Sequence, residues 1–230
     1  MLALDTERLY RVKRKDLPKL QSLLTECFQE DPLYNKLIPD DGIRKKLLPQ
    51  LFHSDLLEYF KECEIYADSE ELNSIVVISA ESEVYNAIQY YLTELIATIR
   101  TDSYLIKEDP SLKTFRNFLV GKEYLNSKWT DGLHNNKRLH IIYLAARPSM
   151  QHHGLSGHLL NEIIEYADQE ELMVSLETHN EKNLVFYKHH GFEVFKVIEQ
   201  HFGLRQYCLI RKYRKEVESV QQQSMTEDAV

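Results

Sequence analysis

The chain has 230 residues, of which 43% are hydrophobic and 28% charged, and its formal net charge is −8. These values are typical of one soluble globular domain with insertions, and the acidic balance argues against nucleic acid or an anionic membrane as a partner. The three cysteines, Cys27, Cys63 and Cys208, are too widely spaced for a thiolate metal site or a disulfide framework. The N-terminal segment has no secretory apolar core and no apolar run could span a bilayer, so a cytoplasmic protein is expected.

The first third of the chain predicts a strand, two helices and a hairpin. Leu9–Val12 is typical of a short strand, and the apolar stripe in Leu17–Phe28 predicts a helix with Asp16 as its N-cap. A second stripe, Ile43–Phe52, predicts another helix after an Asp-Asp-Gly turn. The two strands of the hairpin are expected at Glu64–Ala67 and Ser74–Ser79.

A helical block follows the hairpin. Apolar residues trace one helical face from Val84 to Ile99, and Leu112–Trp129 predicts a further, less regular helix. The block is rich in aromatic residues, which either pack it onto the sheet or cover a substrate pocket. Aromatic stripes are more often part of a core, which favours the packing interpretation.

The most informative stretch is Arg138–Ser156. Leu139–Ala146 is an almost unbroken apolar run, which predicts a strand buried on both faces, and Pro148 closes it because proline cannot donate a ladder hydrogen bond. Beyond Gly154, apolar residues recur at helical spacing through Ala167. This order leaves the first-turn N–H groups of a helix free to bind an anion, so the loop is predicted to hold a pyrophosphate.

The remaining residues predict three further strands and a short helix. Leu172–Glu177 is expected to be a strand, and Asn180 is expected to cap a helix that ends near His190, with Gly191 as its left-handed C-cap. Two more strands flank a turn at Gly203, and a polar tail follows Arg211. These strands are Phe192–Ile198 and Leu204–Ile210.

The loop after the central strand resembles the coenzyme A loop of the GNAT N-acetyltransferases. That loop has the pattern Q/R-x-x-G-x-G/A and follows a strand that ends in V/A-x-P. Here Gln151-x-x-Gly154-x-Ser156 follows Ala146-Arg147-Pro148. No G-K-[ST] follows the glycine, so a nucleoside triphosphatase P-loop is not supported, and the spacing differs from that of the dinucleotide fingerprint.

The sequence that follows resembles the motifs in the second half of the same family's domain. Leu176-Glu177-Thr178 matches its L-E-T, and Asn183–Tyr187 with Gly191-Phe192 matches N-x-x-F-Y-x-x-x-G-F. The resemblance implies the α/β GNAT (acyl-CoA N-acyltransferase) fold, with a mixed central sheet, helices on both faces and a helical insertion before the coenzyme A strand. It implies one domain over residues 1–212, with residues 84–130 as the insertion and residues 213–230 as a polar tail.

The activity that the resemblance implies is direct transfer of acetyl from acetyl-CoA to a primary amine, without a covalent enzyme intermediate or a metal. A small-molecule acceptor is preferred, because the helical insertion is expected to close the open groove that a peptide needs. Two alternatives stay open: an acetyltransferase for protein amines, and a catalytically silent coenzyme A-binding module. Acetyl-CoA and the amine are the expected partners, no nucleic acid or membrane is expected, and the sequence allows a homodimer.

The resemblance also assigns residues to acetyl-CoA. The backbone of Leu144, Ala145 and Ala146 would pair with the pantetheine arm, and Asn183 would bind coenzyme A near that arm. His152 and Ser156 stand where small residues are common, and His152 fits if its φ angle is ordinary. The alternative is a loop that merely turns a strand into a helix. The pyrophosphate is assigned to Gln151, His152, His153, Gly154, Leu155, Ser156 and Gly157.

Tyr187 matches the family tyrosine and is the predicted general acid. A phenol is neutral at pH 7 and can donate to a developing thiolate, and the alternative is an aromatic residue that only packs. Glu177 would take the ammonium proton, relay it through water or bind the cation, unless it is merely a solvated strand-end carboxylate. His140 is a weaker candidate base, because lone strand histidines are more often structural.

A narrower resemblance concerns the acceptor side. Phe28-x-x-Asp31-Pro32 resembles the puromycin N-acetyltransferase-like subgroup, and Asp31 and Tyr34 are predicted to line the acceptor site. Neighbouring histidines at 152–153 and 189–190 suggest a metal site at first sight. Adjacent side chains point apart and no acidic or cysteine ligand shares their spacing, so no metal is expected.

Overall fold

A seven-stranded mixed sheet forms the centre of the computed structural model, which describes residues 8–80, 101–133 and 137–214. The strand order is β1-β2-β3-β4-β5-β7-β6, in which β4 and β5 run parallel and the other neighbours are antiparallel. The strands are β1 (Tyr10–Arg11), β2 (Glu64–Ala67), β3 (Ser74–Ala80), β4 (Arg138–Ala146), β5 (Met173–Thr178), β6 (Glu193–Ile198) and β7 (Gln206–Arg211).

The helices largely follow the predicted stripes. Those N-terminal to β4 are α1 (Leu17–Phe28), α2 (Pro32–Leu37), α3 (Asp41–Glu62), α4 (residues 101–108) and α5 (Lys113–Gly121), and α6 (Leu155–Gln169) and α7 (Asn183–His189) come later. The short helix α2 is not apparent from periodicity, because six residues show less than two helical turns. The expected helix over 84–99 and the tail beyond Arg214 lie outside the described residues.

Asp16 does not cap α1 in the predicted way. Its carboxylate instead accepts hydrogen bonds from the Lys13 N–H (2.9 Å) and the Tyr10 hydroxyl (2.8 Å). These bonds close the single 3-10 turn that precedes α1. Asp16 therefore occupies the N-cap position of α1, as predicted, but its side chain makes no capping bond to α1 and satisfies donors one turn earlier.

The two faces of the sheet carry separate cores. One core packs α1 and α3 against β3 and β4 through residues such as Leu24, Phe52 and Val77, which are fully buried. The other packs α6 against the opposite face through Leu160 and Ile163. Among the described residues, no helix combines the length and apolar character that crossing a membrane requires.

β4 and β5 diverge halfway along their length. Their parallel pairing extends from Arg138/Met173 to Ile141/Leu176 and stops there. At that point Val77 pairs with Tyr143 and Ile78 with Ile141, so Ile142 is an extra, bulged residue in β4. A bulge bends its strand and adds twist. The expectation that the whole strand is buried on both faces is therefore wrong for residues 142–144 and 146, which are only partly buried where β4 and β5 separate.

Candidate active site

The loop between β4 and α6 presents a row of main-chain N–H groups. Pro148–Met150 forms a single 3-10 turn, and Gly154, with φ +78°, leads the chain into α6, which has no side-chain cap. The N–H groups of residues 152–157 have no hydrogen-bond acceptor among the described residues. Together with the dipole of a fifteen-residue helix, these donors suit a diphosphate.

The expectation for His152 is wrong. Its φ angle is +67°, in the left-handed region, where a side chain costs roughly 1–2 kcal/mol relative to glycine. His152 is exposed, and Gly154 follows in the same conformation two residues later. The loop therefore needs a backbone shape that glycine adopts freely, and His152 adopts it under strain.

The unpaired stretch of β4 continues directly into this loop. Leu144–Ala146 lies beyond the last β4–β5 pair, and among the strands that the structure describes it pairs only with β3. The edge that faces β5 is thus free to pair with an extended chain, as an added strand would. The opening leads from the bulge at Ile142 to the N–H groups at the start of α6.

The helix α7 places Asn183 and Tyr187 on the β5 side of the molecule. Asn183 begins α7, and its side-chain amide donates to the Thr178 hydroxyl at the end of β5 (3.3 Å). The Tyr187 ring is buried against Phe186 and Phe192. Its hydroxyl has no partner among the described residues and is not sealed from solvent. Burial raises the pKa of Tyr187, so the phenol keeps its proton at neutral pH.

Glu177 lies in a dense hydrogen-bond network on the face opposite α6. Its carboxylate accepts from the Ser127 hydroxyl (2.7 Å) and the Trp129 indole (2.9 Å), and His140 Nε2 is 3.3 Å away. His140 Nδ1 in turn meets the Ser175 hydroxyl at 2.9 Å. The sequence did not connect His140 with Glu177: the strand partner of His140 is Ser175, and Glu177 lies two residues further along β5 on the same face.

The network keeps Glu177 ionised. Burial by itself would raise the pKa of Glu177, but hydrogen bonding and charge from His140, with the Ser127 and Trp129 donors, hold it below the ordinary value. Next to it, burial lowers the pKa of His179 to about 4, and the negative charge of Glu177 opposes that shift only in part. His179 is therefore neutral at pH 7, and its ring contacts Tyr124.

Asp31 and Tyr34 lie on the α1/α3 face. Asp31 accepts the Leu33 N–H (2.8 Å) and thereby caps α2. Burial raises the pKa of Asp31 to about 6, although N–H donors from Leu33 and Tyr34 oppose the shift. Tyr34 is buried, and its ring packs against Phe28 and Phe52. The two residues predicted for the acceptor side are thus neighbours in an aromatic region next to β4.

The described part of the helical insertion bridges two distant segments on this face. The Asn117 amide on α5 donates to the Leu37 carbonyl at the end of α2 (3.0 Å). The Tyr124 hydroxyl accepts from the N–H groups of Gln200 and His201, at 2.8 Å each, and donates to the Leu204 carbonyl. The insertion therefore links α2 to the β6–β7 turn across the face that carries Glu177.

The sequence of the domain that contains this site matches a known protein family. The model of the acetyltransferase (GNAT) family matches residues 55–192, which is more than half of the chain. The chain belongs to the GNAT acetyltransferase family. Its members transfer acetyl from acetyl-CoA, so this GNAT protein is an acetyl-CoA-dependent acetyltransferase, as predicted. No curated protein matches the chain significantly.

Solved structures confirm the GNAT fold. A Corynebacterium glutamicum protein described as histone acetyltransferase HPA2 and related acetyltransferase is 18% identical, with a TM-score of 0.60, covering 91% of this chain and 97% of its own. Arylalkylamine N-acetyltransferase 2 from Aedes aegypti is 13% identical, with a TM-score of 0.56, covering 90% and 99%. The PaiA N-acetyltransferase of Thermoplasma acidophilum, solved with coenzyme A, is 12% identical, with a TM-score of 0.52, covering 89% and 98%.

Replacing His152 by glycine is expected to stabilise this GNAT domain. His152→Gly removes the left-handed strain and should raise the free energy of unfolding by up to about 1 kcal/mol, or a melting temperature by about 2–4 °C. Acetyl-CoA affinity should change less than about threefold, because the donors are backbone groups. His153→Gly is the matched control: His153 has no positive φ, so glycine there relieves nothing and enlarges the unfolded ensemble. Lower stability or much weaker binding in His152→Gly would contradict this account of the loop.

Proposed function

We propose that the protein transfers acetyl from acetyl-CoA to the primary amine of a small molecule. The observation that carries the proposal is the row of N–H groups at residues 152–157 that find no acceptor within the described ranges, continuous with the unpaired edge of β4. The diphosphate would bind these N–H groups, and the pantetheine arm would pair with Leu144–Ala146. Gln151 and Asn183 would add side-chain contacts at the two ends of the arm.

The reaction needs no group beyond the two substrates and the protein. The lone pair of the neutral amine attacks the thioester carbonyl, a C–N bond forms, and the carbonyl becomes a tetrahedral oxyanion. Collapse of this intermediate breaks the C–S bond, the nitrogen loses its proton to a base, and the thiolate leaves. Holding both substrates in one opening supplies much of the rate by orientation.

Tyr187 is proposed to donate to the departing thiolate. Its buried ring fixes the position of the hydroxyl, while the hydroxyl itself has no partner among the described residues. Burial raises the pKa of Tyr187, so the hydroxyl first donates a hydrogen bond to the sulfur. It gives up its proton only after most of the negative charge has developed on the leaving thiolate. The catalytic and substrate-binding assignments of Glu177 stay predictions, and its three neighbours favour a role in holding His140 and Ser127.

The insertion supports a small acceptor rather than a protein. A peptide would need an open channel between α2 and the β6–β7 turn, and Asn117 and Tyr124 tie the insertion to both. The finer resemblance to the puromycin N-acetyltransferase-like subgroup remains a proposal. It is supported only by the place of Asp31 and Tyr34 on this same face.

Labelled acetyl-CoA distinguishes the acceptor classes. The protein would receive acetyl-labelled acetyl-CoA with tyramine, phenethylamine and cadaverine, and separately with a peptide that has a free N-terminal alanine and an internal lysine. We expect kcat/KM for the best small amine to exceed that for the peptide by at least about tenfold. Preferential labelling of the peptide would contradict the proposal, and tight acetyl-CoA binding without thiol release from any amine would favour the silent module.

A further inference from the structure

A carboxylate interrupts the apolar face of α3. Phe52, Asp55 and Tyr59 follow each other at helical spacing, and Phe52 is fully buried in the core that α3 forms with β4. Asp55 is partly buried on that same side. Charged residues at such positions are rare unless they are paired, so Asp55 calls for a specific explanation.

Three tyrosines surround this carboxylate. The Tyr143 hydroxyl of β4 lies 3.5 Å from Asp55 Oδ2, at the outer limit of a hydrogen bond. The Tyr59 ring packs against that of Tyr143, with centroids 5.9 Å apart, and Tyr34 on α2 faces both Asp55 and Tyr143. Among the residues that the structure describes, no lysine, arginine or histidine forms an ion pair with Asp55.

Asp55 and the three tyrosines around it are suited to bind a cation. A carboxylate without a cationic partner is costly to bury, and burial raises the pKa of Asp55 to about 7 even though the Tyr143 hydroxyl opposes the shift. Aromatic faces attract a desolvated ammonium group, and a carboxylate beside them adds charge pairing. Burial of Asp55 without a cationic partner therefore costs stability. An ammonium group that entered the cluster would offset this cost by pairing with the carboxylate and contacting the aromatic faces.

The position of the cluster connects it to the reaction. Tyr143 directly follows the bulge at Ile142 and directly precedes Leu144–Ala146, the proposed partner of the pantetheine arm. Asp55 therefore lies beside the strand that would align the thioester. It is on the face that the insertion partly covers, since Phe115 and Phe118 pack against the same core.

We propose that Asp55, framed by Tyr34, Tyr59 and Tyr143, binds the ammonium group of the acceptor, which then loses one proton to a base so that its lone pair can attack the thioester. This inference rests on the proposed function and specifies its substrate class: small primary amines that carry no carboxylate next to the amino group. An α-amino acid would bring its own carboxylate close to Asp55 and be disfavoured by repulsion. Tyramine and phenethylamine belong to the accepted class, and tyrosine and phenylalanine are their rejected counterparts.

Steady-state kinetics of Asp55→Asn tests the proposal. With whichever of tyramine, phenethylamine or cadaverine the wild-type protein acetylates best, the variant should raise KM for the amine by at least about tenfold. KM for acetyl-CoA should stay within about twofold, because the hydrogen-bond contact of Asp55 within the described part of the chain is with the Tyr143 hydroxyl and not with the loop or Leu144–Ala146. Glu62→Gln, which removes an exposed carboxylate at the end of the same helix, is the matched control and should leave both values unchanged.

Thermal unfolding separates this role from a structural one. Asp55 is ionised in the unfolded chain above about pH 4 but holds its proton in the fold up to about 7, so its burial costs more stability as pH rises through that window. Asp55→Asn should therefore melt at or above the wild-type temperature near pH 8, and the difference should vanish near pH 4. Burial raises the pKa of Tyr34, Tyr59 and Tyr143, so they stay protonated, and Asp31 titrates equally in both proteins.

Each outcome is decisive. An unchanged amine KM in Asp55→Asn, with wild-type turnover intact, would overturn the Asp55 proposal and leave the proposed function standing. A lower melting temperature near pH 8 would show a structural role and would also overturn it. If the wild-type protein acetylates no small amine, the proposed function fails and this inference fails with it.

Discussion

Ser156→Asp is expected to weaken acetyl-CoA binding by at least about a hundredfold without lowering stability. Ser156 is the second residue of α6, among the N–H groups proposed to hold the diphosphate. Two negative charges about 5 Å apart repel by about 3 kcal/mol at an effective dielectric constant of about 20, which is roughly a hundredfold in affinity. The same charge at a helix N-terminus stabilises the helix by about 0.3–1 kcal/mol, so binding and folding should change in opposite directions.

Calorimetric titration with acetyl-CoA, alongside thermal unfolding, measures both effects. Ser156→Asn is the control, because asparagine has the size of aspartate without its charge, and its affinity should stay within about tenfold of wild type. Wild-type affinity in Ser156→Asp would place the diphosphate elsewhere. The Ser74 hydroxyl, 3.5 Å from that of Ser156, already donates to the Ala145 carbonyl (2.9 Å), so it does not neutralise the new charge.

Tyr187→Phe is expected to lower kcat by about a hundredfold while leaving acetyl-CoA affinity nearly unchanged. General acid catalysis typically contributes about 10²–10⁴-fold, and the lower end is expected here because burial raises the pKa of Tyr187 and weakens it as an acid. Phenylalanine keeps the ring packed against Phe186 and Phe192, so the fold should be preserved. Single-turnover measurements with saturating acetyl-CoA separate the chemical step from product release.

The comparison variant for Tyr187 is Tyr166→Phe. Tyr166 lies on α6 and packs against the same core, far along the helix from the loop, and its hydroxyl is not assigned to the reaction. Its removal should change kcat less than about twofold. Wild-type kcat in Tyr187→Phe would remove this tyrosine from the mechanism and leave the thiolate to be protonated by water.

Periodicity was sufficient for most of the fold. The stripes in Leu17–Phe28 and after Gly154 predicted α1 and α6 to the residue at their starts, because each helix buries one continuous apolar face. The helix α2 was missed because it is shorter than two turns, and its cap, Asp31, is interpreted more easily as a helix stop. The bulge at Ile142 was not predictable, since it depends on the register between β3 and β4.

The candidate site also has a part that the sequence predicts and a part that it does not. Its backbone part follows from a local motif, because a strand, a glycine and a helix next to one another determine where free N–H groups lie. The φ angle of His152 was not accessible from the motif, because loop closure decides it. Contacts of Glu177 with Ser127 and Trp129 join segments about fifty residues apart, which no spacing indicates. Asp55 left a trace: a carboxylate at a position where the α3 stripe requires an apolar residue.

A crystal structure with coenzyme A bound tests the central claim most directly. We predict diphosphate oxygens within about 3 Å of the backbone nitrogens of residues 152–157, and a pantetheine arm hydrogen-bonded to the free edge of Leu144–Ala146. The sulfur would then point toward Tyr187 on one side and toward Tyr143 and Asp55 on the other. A diphosphate bound away from that loop, or an arm that does not pair with β4, would contradict the account.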